Sequence, residues 1–202
     1  MIDQNWIYLG AALNLVGTGM YIRDVLNGTA KPNRVTWAIL GFAPMLAFGA
    51  MITQGVGFRQ SLMTFVVGLS PLLVIISTFF TKHPAWKIQR FDLYCGGLSL
   101  VGLLLWLITK EGNAAITFAI LADGLAFLPT LVKGYKYPES ESKWLFLLGF
   151  VNGLIAVLII QHWDYAHGAF PVYLLTVDAI AVLFIWFKLG PKIRSLHAKR
   201  PT

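Results

Sequence analysis

The sequence predicts an all-α integral membrane protein: seven spanning helices, built as two parallel-oriented three-helix repeats joined by a linker helix. Three observations lead there. Of 202 residues, 57% are apolar and only 12% charged, with a mean hydropathy of +0.68, whereas a soluble domain carries about 25% charge. Seven apolar runs are each long enough to cross a bilayer, which takes about 20 residues per helix. The segments after the first and fifth runs resemble one another. The same composition excludes disorder, collagen and a disulfide scaffold, and the single Cys95 permits no intrachain disulfide.

Taken in order, the runs are Trp6–Leu26, Thr36–Thr53, Phe58–Phe80, Phe91–Thr109, Asn113–Lys133, Lys143–Gln161 and Ala169–Lys188. The breaks hold the charges, glycines and prolines: Gly28–Arg34, Gln54–Gly57, Thr81–Arg90, Lys110–Gly112, Gly134–Ser142 and His162–Gly168. Near the N-terminus lies Asp3 and no basic residue, so the first run lacks the flank of a signal peptide and is expected to stay in the mature protein. Basic residues then fix the orientation. Arg59 and Lys110 fall on the N-terminal side of a seven-span chain, and the other fourteen, including Arg23, Lys31, Lys87, Lys133 and Lys192, fall opposite. The N-terminus is therefore expected outside and the C-terminus in the cytoplasm. The net charge of +7 is a topology signal that meets anionic lipids at the cytoplasmic face, not a nucleic-acid footprint. Asn27-Gly28-Thr29 matches a glycosylation sequon but falls on the inner side.

The repeat is read from two loops. Tyr21-Ile-Arg-Asp-Val-Leu-Asn-Gly28-Thr-Ala-Lys-Pro32 and Phe127-Leu-Pro-Thr-Leu-Val-Lys-Gly134-Tyr-Lys-Tyr-Pro138 align at an offset of 106. Trp37 with Trp144, and Gly41-Phe42 with Gly149-Phe150, follow after single-residue insertions. Residues 5–80 thus form a first bundle and 113–188 a second. The unmatched helix 91–109 joins them, and 189–202 is a basic tail. An odd helix between two three-helix units leaves both with one orientation, a recurring plan of transporters.

Polar residues gather at one depth. Asp123 and Asp178 are central in the fifth and seventh runs, where an aspartate costs about 2.5–3.5 kcal/mol on insertion scales. They must face the interior or carry a proton. Asn14, Pro44, Ser70, Pro71 and Asn152 lie at similar depth, with Gly10 and Gly17 beside Asn14 and Gly149, Gly153 and Ala156 beside Asn152. The repeat pairs Pro44 with Asn152 and Ser70 with Asp178. The sharper reading is a midplane cavity in which the aspartates bind a cationic or hydroxyl-rich solute or carry a proton. Asn14, Asn152 and Ser70 would add neutral hydrogen bonds. The plainer reading makes Asn14 and Ser70 bridges between helices and the small residues packing faces. Asp92 reads as an ion pair or a helix N-terminal charge. Asp24 beside Arg23 reads as interfacial, or as part of an inner gate. Trp6, Trp86, Trp163 and Trp186 lie near span ends, as interface anchors do.

Other chemistries fail. His162 and His167 are five apart, not the four that share a helical face in zinc proteases, so no metal is expected. Lys188 lies about 15 Å along the helix from Asp178, too far along for a retinal Schiff base inside the last span. No enzyme motif and no cofactor-binding loop occur.

The pattern resembles the PQ-loop and SWEET transporter superfamily, whose members have 3+1+3 helices, an outer N-terminus and an inner C-terminus. Leu128-Pro129-Thr130-Leu131 before Lys133 and Lys136 sits where that superfamily carries Pro-Gln, with Thr for Gln. Tyr21-Ile22-Arg23-Asp24-Val25-Leu26 looks like the same segment of the first repeat. Ser70 and Asp178 occupy places like the two substrate asparagines of SWEET carriers, and Pro44 and Pro129 match their hinge prolines. The resemblance implies a solute carrier working by alternating access, and the two aspartates point to a small polar or cationic solute, or to proton linkage through Asp123 and Asp178. Hinge or gate roles fall to Pro44, Pro129 and Asp24. A receptor binding a small ligand or peptide without transport, and a membrane assembly protein without a solute, are the competing expectations. The chain is expected to act as a monomer or small homo-oligomer.

Overall fold

The computed structural model describes residues 3, 5–53, 58–108, 112–160 and 163–198. Four expected features lie outside these residues: the break at Gln54–Gly57, Lys110, His162 of the outer histidine pair, and Lys199 with Arg200 of the tail.

Among the described residues the protein is all helical: α1 (Trp6–Leu26), α2 (Arg34–Thr53), α3 (Phe58–Ser77), α4 (Arg90–Ile108), α5 (Gly112–Lys136), α6 (Lys143–Leu158), α7 (Tyr165–Ile185) and α8 (Leu189–Ala198), with a 3₁₀ turn at Pro138–Ser140. Two stretches, Ile116–Lys136 and Gly168–Ile185, are long and apolar enough to cross a membrane, and Phe65–Ser77 and Lys143–Leu158 are shorter apolar helices. The first helix has the expected bounds. The tail departs from expectation, since residues of 189–202 form α8, which packs on α5 and α7. Arg194 of α8 donates to the Lys136 carbonyl at 3.0 Å, giving a late α5 carbonyl one of the partners that helix C-termini lack.

Neighbour relations organise the molecule. α1 packs on α3 and α6; α2 on α3, α4 and α5; α5 on α4 and α7; and α6 on α7. Followed through, they close a ring in the order α1, α3, α2, α5, α7, α6. α4 lies outside the ring against α5 and α2.

The two similar loop segments are built differently. At Gly28 the backbone turns left-handed (φ +76°), and Thr29 and Ala30 donate N–H bonds to the Asp24 carbonyl at 2.9 and 3.0 Å, so α1 stops. The His83 ring also occupies the space a Cβ would need there. Gly134 stays helical and lets α5 approach Ile185 of α7. α5 therefore runs on to Lys136.

The main apolar core sits at one end of the ring. Tyr21, Val25, Trp37, Val74, Phe127, Phe146, Ala181, Val182 and Ile185 are buried together, and all lie toward the end that holds the Gly28 and Gly134 segments. By contrast α4 turns a broad apolar face outward. Leu93, Leu98, Leu104, Leu107 and Ile108 are all more than half exposed.

Candidate functional site

The residues singled out in the sequence fall into a middle layer and an end layer. In the middle layer, Ser70 of α3 donates its hydroxyl hydrogen to the Asn14 carboxamide oxygen of α1 at 2.5 Å. On the other side of the ring, Tyr173 of α7 donates to the Asp123 carboxylate of α5 at 2.8 Å. One bond joins α1 to α3 and the other α5 to α7. Both Ser70 and Asn152 are buried.

Asp178 projects from α7 toward α6, with its carboxyl oxygens about where a Cβ on Gly149 would come into contact (2.8 Å). A larger residue at Gly149 would collide with it. One turn further along α6, the Asn152 carboxamide oxygen fills the space a Cβ on Gly10 of α1 would need. That oxygen has no hydrogen-bond partner among the described residues, and Asn152 is only 7% exposed. Gly10 and Gly149 thus act as recesses for the polar groups facing them.

Asp123 and Asp178 are both partly exposed. No ion pair to either carboxylate occurs among the described residues.

Pro44 and Pro129 are absorbed within continuous α2 and α5. Pro129 is buried on the core side, followed by the fully buried Thr130.

The end layer holds what the sequence did not announce. Lys133, counted there among the basic residues that set the topology, is buried (3% exposed). Its ammonium lies 2.5 Å from a carboxylate oxygen of Glu141 in the α5–α6 connection. The other Glu141 oxygen accepts from the Tyr21 hydroxyl of α1 at 2.5 Å. The Lys133 ammonium also donates to the Lys31 carbonyl in the α1–α2 connection and stands 5.0 Å from the centre of the Trp86 ring in the α3–α4 connection. Beside this centre, Ser142 donates to Asp24 at 2.5 Å and the Lys31 N–H donates to the Ser140 carbonyl at 2.9 Å. One lysine thereby gathers three connections and two helices.

Asp24 thus belongs to the end layer, apart from the middle group. It lines a cleft of about 440 Å³ together with Arg23, Glu141, Lys143, Trp144 and Lys188. Its contact with Arg23 is long, at 3.8 Å. Asp92 is settled as a helix N-terminal group: it is buried and accepts from the Gln89 N–H at 2.8 Å. The signal that could have exposed the lysine centre is the pairing of Lys133 with Glu141 across a short, proline-turned connection. Tyr173 carried no signal beyond lying five residues before Asp178. Comparison with protein-family models, curated proteins and solved structures gives no match for this chain.

Proposed function

We propose that the protein is a seven-span membrane carrier for a small polar solute, working by rocking of two three-helix bundles, with its N-terminus outside and C-terminus in the cytoplasm. The observation that carries this reading is the neighbour ring. Replacing α1, α2 and α3 by α5, α6 and α7, and the reverse, turns the order α1, α3, α2, α5, α7, α6 into itself. The α1–α6 contact becomes the α5–α2 contact. α4 stays outside, as a linker between parallel units must. This is the neighbour pattern of two similar bundles facing one another about an axis along the membrane normal, a plan transporters use.

Two further features support it. The Asn14–Ser70 and Asp123–Tyr173 bonds tie equivalent helix pairs, α1 to α3 and α5 to α7. They lie within the bundles, so the bundles can move as bodies. The outward apolar face of α4 is far easier to accommodate in lipid than in water, where monomers rarely expose patches larger than a few hundred Å². On this topology the Lys133–Glu141–Tyr21 centre lies at the cytoplasmic end. The ring is then shut at that end.

Flux in reconstituted vesicles tests the reading. Uptake of a small polar solute is expected, with Asp123→Asn or Asp178→Asn lowering it at least tenfold while the protein still folds. Saturable binding without flux would favour a receptor. A protein without ligand effects on stability would favour an assembly role.

A further inference from the structure

Resting on the seven-span topology of the carrier reading, and not on transport itself, we infer that α8 and the adjoining ends of α5, α6 and α7 form a docking surface for the anionic phospholipids of the cytoplasmic leaflet. α8 lies in the headgroup plane as an interfacial helix.

The first argument is the way α8 is held. Lys188 has a left-handed backbone (φ 53°), uncommon for any residue but glycine, and there the chain leaves α7 and turns into α8. Gly190 then packs so close to Tyr135 that a Cβ would strike its backbone carbonyl. One turn on, Arg194 donates to the Lys136 carbonyl at 3.0 Å, and its guanidinium stands 5.7 Å from the centre of the Tyr135 ring. Gly190 and Arg194 are four apart and share one side of the helix, so that side is the one docked on α5.

The second argument is what the docked side leaves over. Leu189, Ile193 and Leu196 are spaced by four and three and form a separate apolar stripe beside it. Leu189 and Ile193 are only half-buried. Leu196 is 66% exposed, and Phe187 just before the helix is 52% exposed. Lys192 and Ser195, both exposed, border the stripe on its far edge. A helix whose apolar stripe is unspent on its own protein, with basic residues beside it, is the pattern that settles in a membrane interface.

The third argument is depth and charge. Trp144 of α6 and Trp186, which follows α7, meet edge to face with ring centres 5.1 Å apart. The Lys143 ammonium stands 4.9 Å from the centre of the Trp186 ring. Tryptophans with lysines laid along them mark the interface level, and α8 begins three residues after Trp186. At this level Lys136, Lys143, Lys188 and Lys192 are exposed, and among the described residues none of them is in an ion pair. The nearby carboxylates are largely spoken for. Glu141 is engaged by Lys133 and Tyr21, and Asp24 accepts from Ser142, which leaves the exposed Glu139 against four lysines. A surplus of positive charge at headgroup level favours lipids of net negative charge over zwitterionic ones.

The full-length protein in lipid nanodiscs tests this without a transport assay. With Cys95 replaced by serine, Leu196→Cys carries a polarity-sensitive fluorophore. In discs of phosphatidylcholine with phosphatidylglycerol, that label is expected to shift to the blue, to be quenched by nitroxide lipids and to be shielded from acrylamide in the water. The same label at Ser195→Cys should be quenched by acrylamide. Spin-labelled phosphatidylglycerol should associate severalfold more strongly than spin-labelled phosphatidylcholine, with the difference shrinking as salt is added. Lys136→Gln, Lys143→Gln, Lys188→Gln and Lys192→Gln combined should remove most of that preference at unchanged melting. Should the combined variant not fold, Lys192→Gln alone and the wild-type comparison of the two lipids decide. Equal association of the two lipids, a preference unchanged by the lysine substitutions, or a label at the Leu196 position that stays in water in anionic discs overturns the inference. Flux of a solute with α8 in water would leave the carrier reading standing without this surface. A lipid-seated α8 with no flux of any solute would do the reverse.

Discussion

At Gly10 a single hydrogen atom makes room for the Asn152 carboxamide, so the two positions should be coupled. Gly10→Ala is expected to destabilise by about 1–3 kcal/mol, as overpacking does. Adding Asn152→Ala should recover most of that, and chemical or thermal unfolding of the four-member cycle measures the coupling. Gly28 has two reasons to be glycine, its left-handed backbone and the His83 ring against it. Gly28→Ala should therefore lower the melting temperature more than a Gly→Ala change in a plain turn, because the new methyl group meets both strain and a neighbour. The heaviest single-residue effect is expected at Glu141. Removing one partner of a buried ion pair leaves the other uncompensated, at about 3–5 kcal/mol. Glu141→Gln and Lys133→Met should each lose about that much in unfolding measurements. Lys133→Met with Glu141→Leu should lose markedly less than the two together, since no buried charge is left alone.

The helices themselves were legible because apolar runs of about 20 residues leave little choice of structure. The bounds of α1 and the middle positions of Asn14, Ser70, Asp123, Asn152 and Asp178 follow from counting along such runs. What the sequence could not show is partnership. Lys133 sits among Lys136 and Lys143 and reads as a solvated loop charge. Only the return of the chain through the Pro138–Ser140 turn brings Glu141 under it. Tyr173 reads as one more aromatic residue until the packing of α5 on α7 places its hydroxyl on Asp123. α8 was hidden because ten residues with several charges carry no apolar run. The outlying α4 is held by small contacts: Gly102 admits Ala122 of α5 at 3.1 Å from a would-be Cβ, and Ser99 donates to the Ala122 carbonyl. Gly102→Leu is expected to weaken the α4–α5 junction, seen as faster protease cleavage in the connections flanking α4.

For the molecule as a whole, the burial pattern sets an expectation of access. With Cys95 replaced by serine, a cysteine at the fully buried Thr130 should resist a membrane-impermeant thiol reagent added on the side that the proposed topology makes cytoplasmic. Glu141→Gln is expected to raise the inner reactivity of the Thr130 position severalfold. Equal protection at Thr130 in that variant would show that the lysine centre does not control the inner end. The burial of this centre has one more consequence, in the response to ionic strength. In the proposed carrier with its inner end shut, the Lys133 and Glu141 side chains are 2% and 0% exposed, out of reach of mobile ions. Once open, both charges stand in electrolyte, where attraction is screened within about 8–10 Å at physiological salt. Added salt should therefore slow the return to the shut state and leave the rate of opening nearly unchanged, so that a carrier cycling through this centre spends more of its time open to a concentrated cytoplasm than to a dilute one.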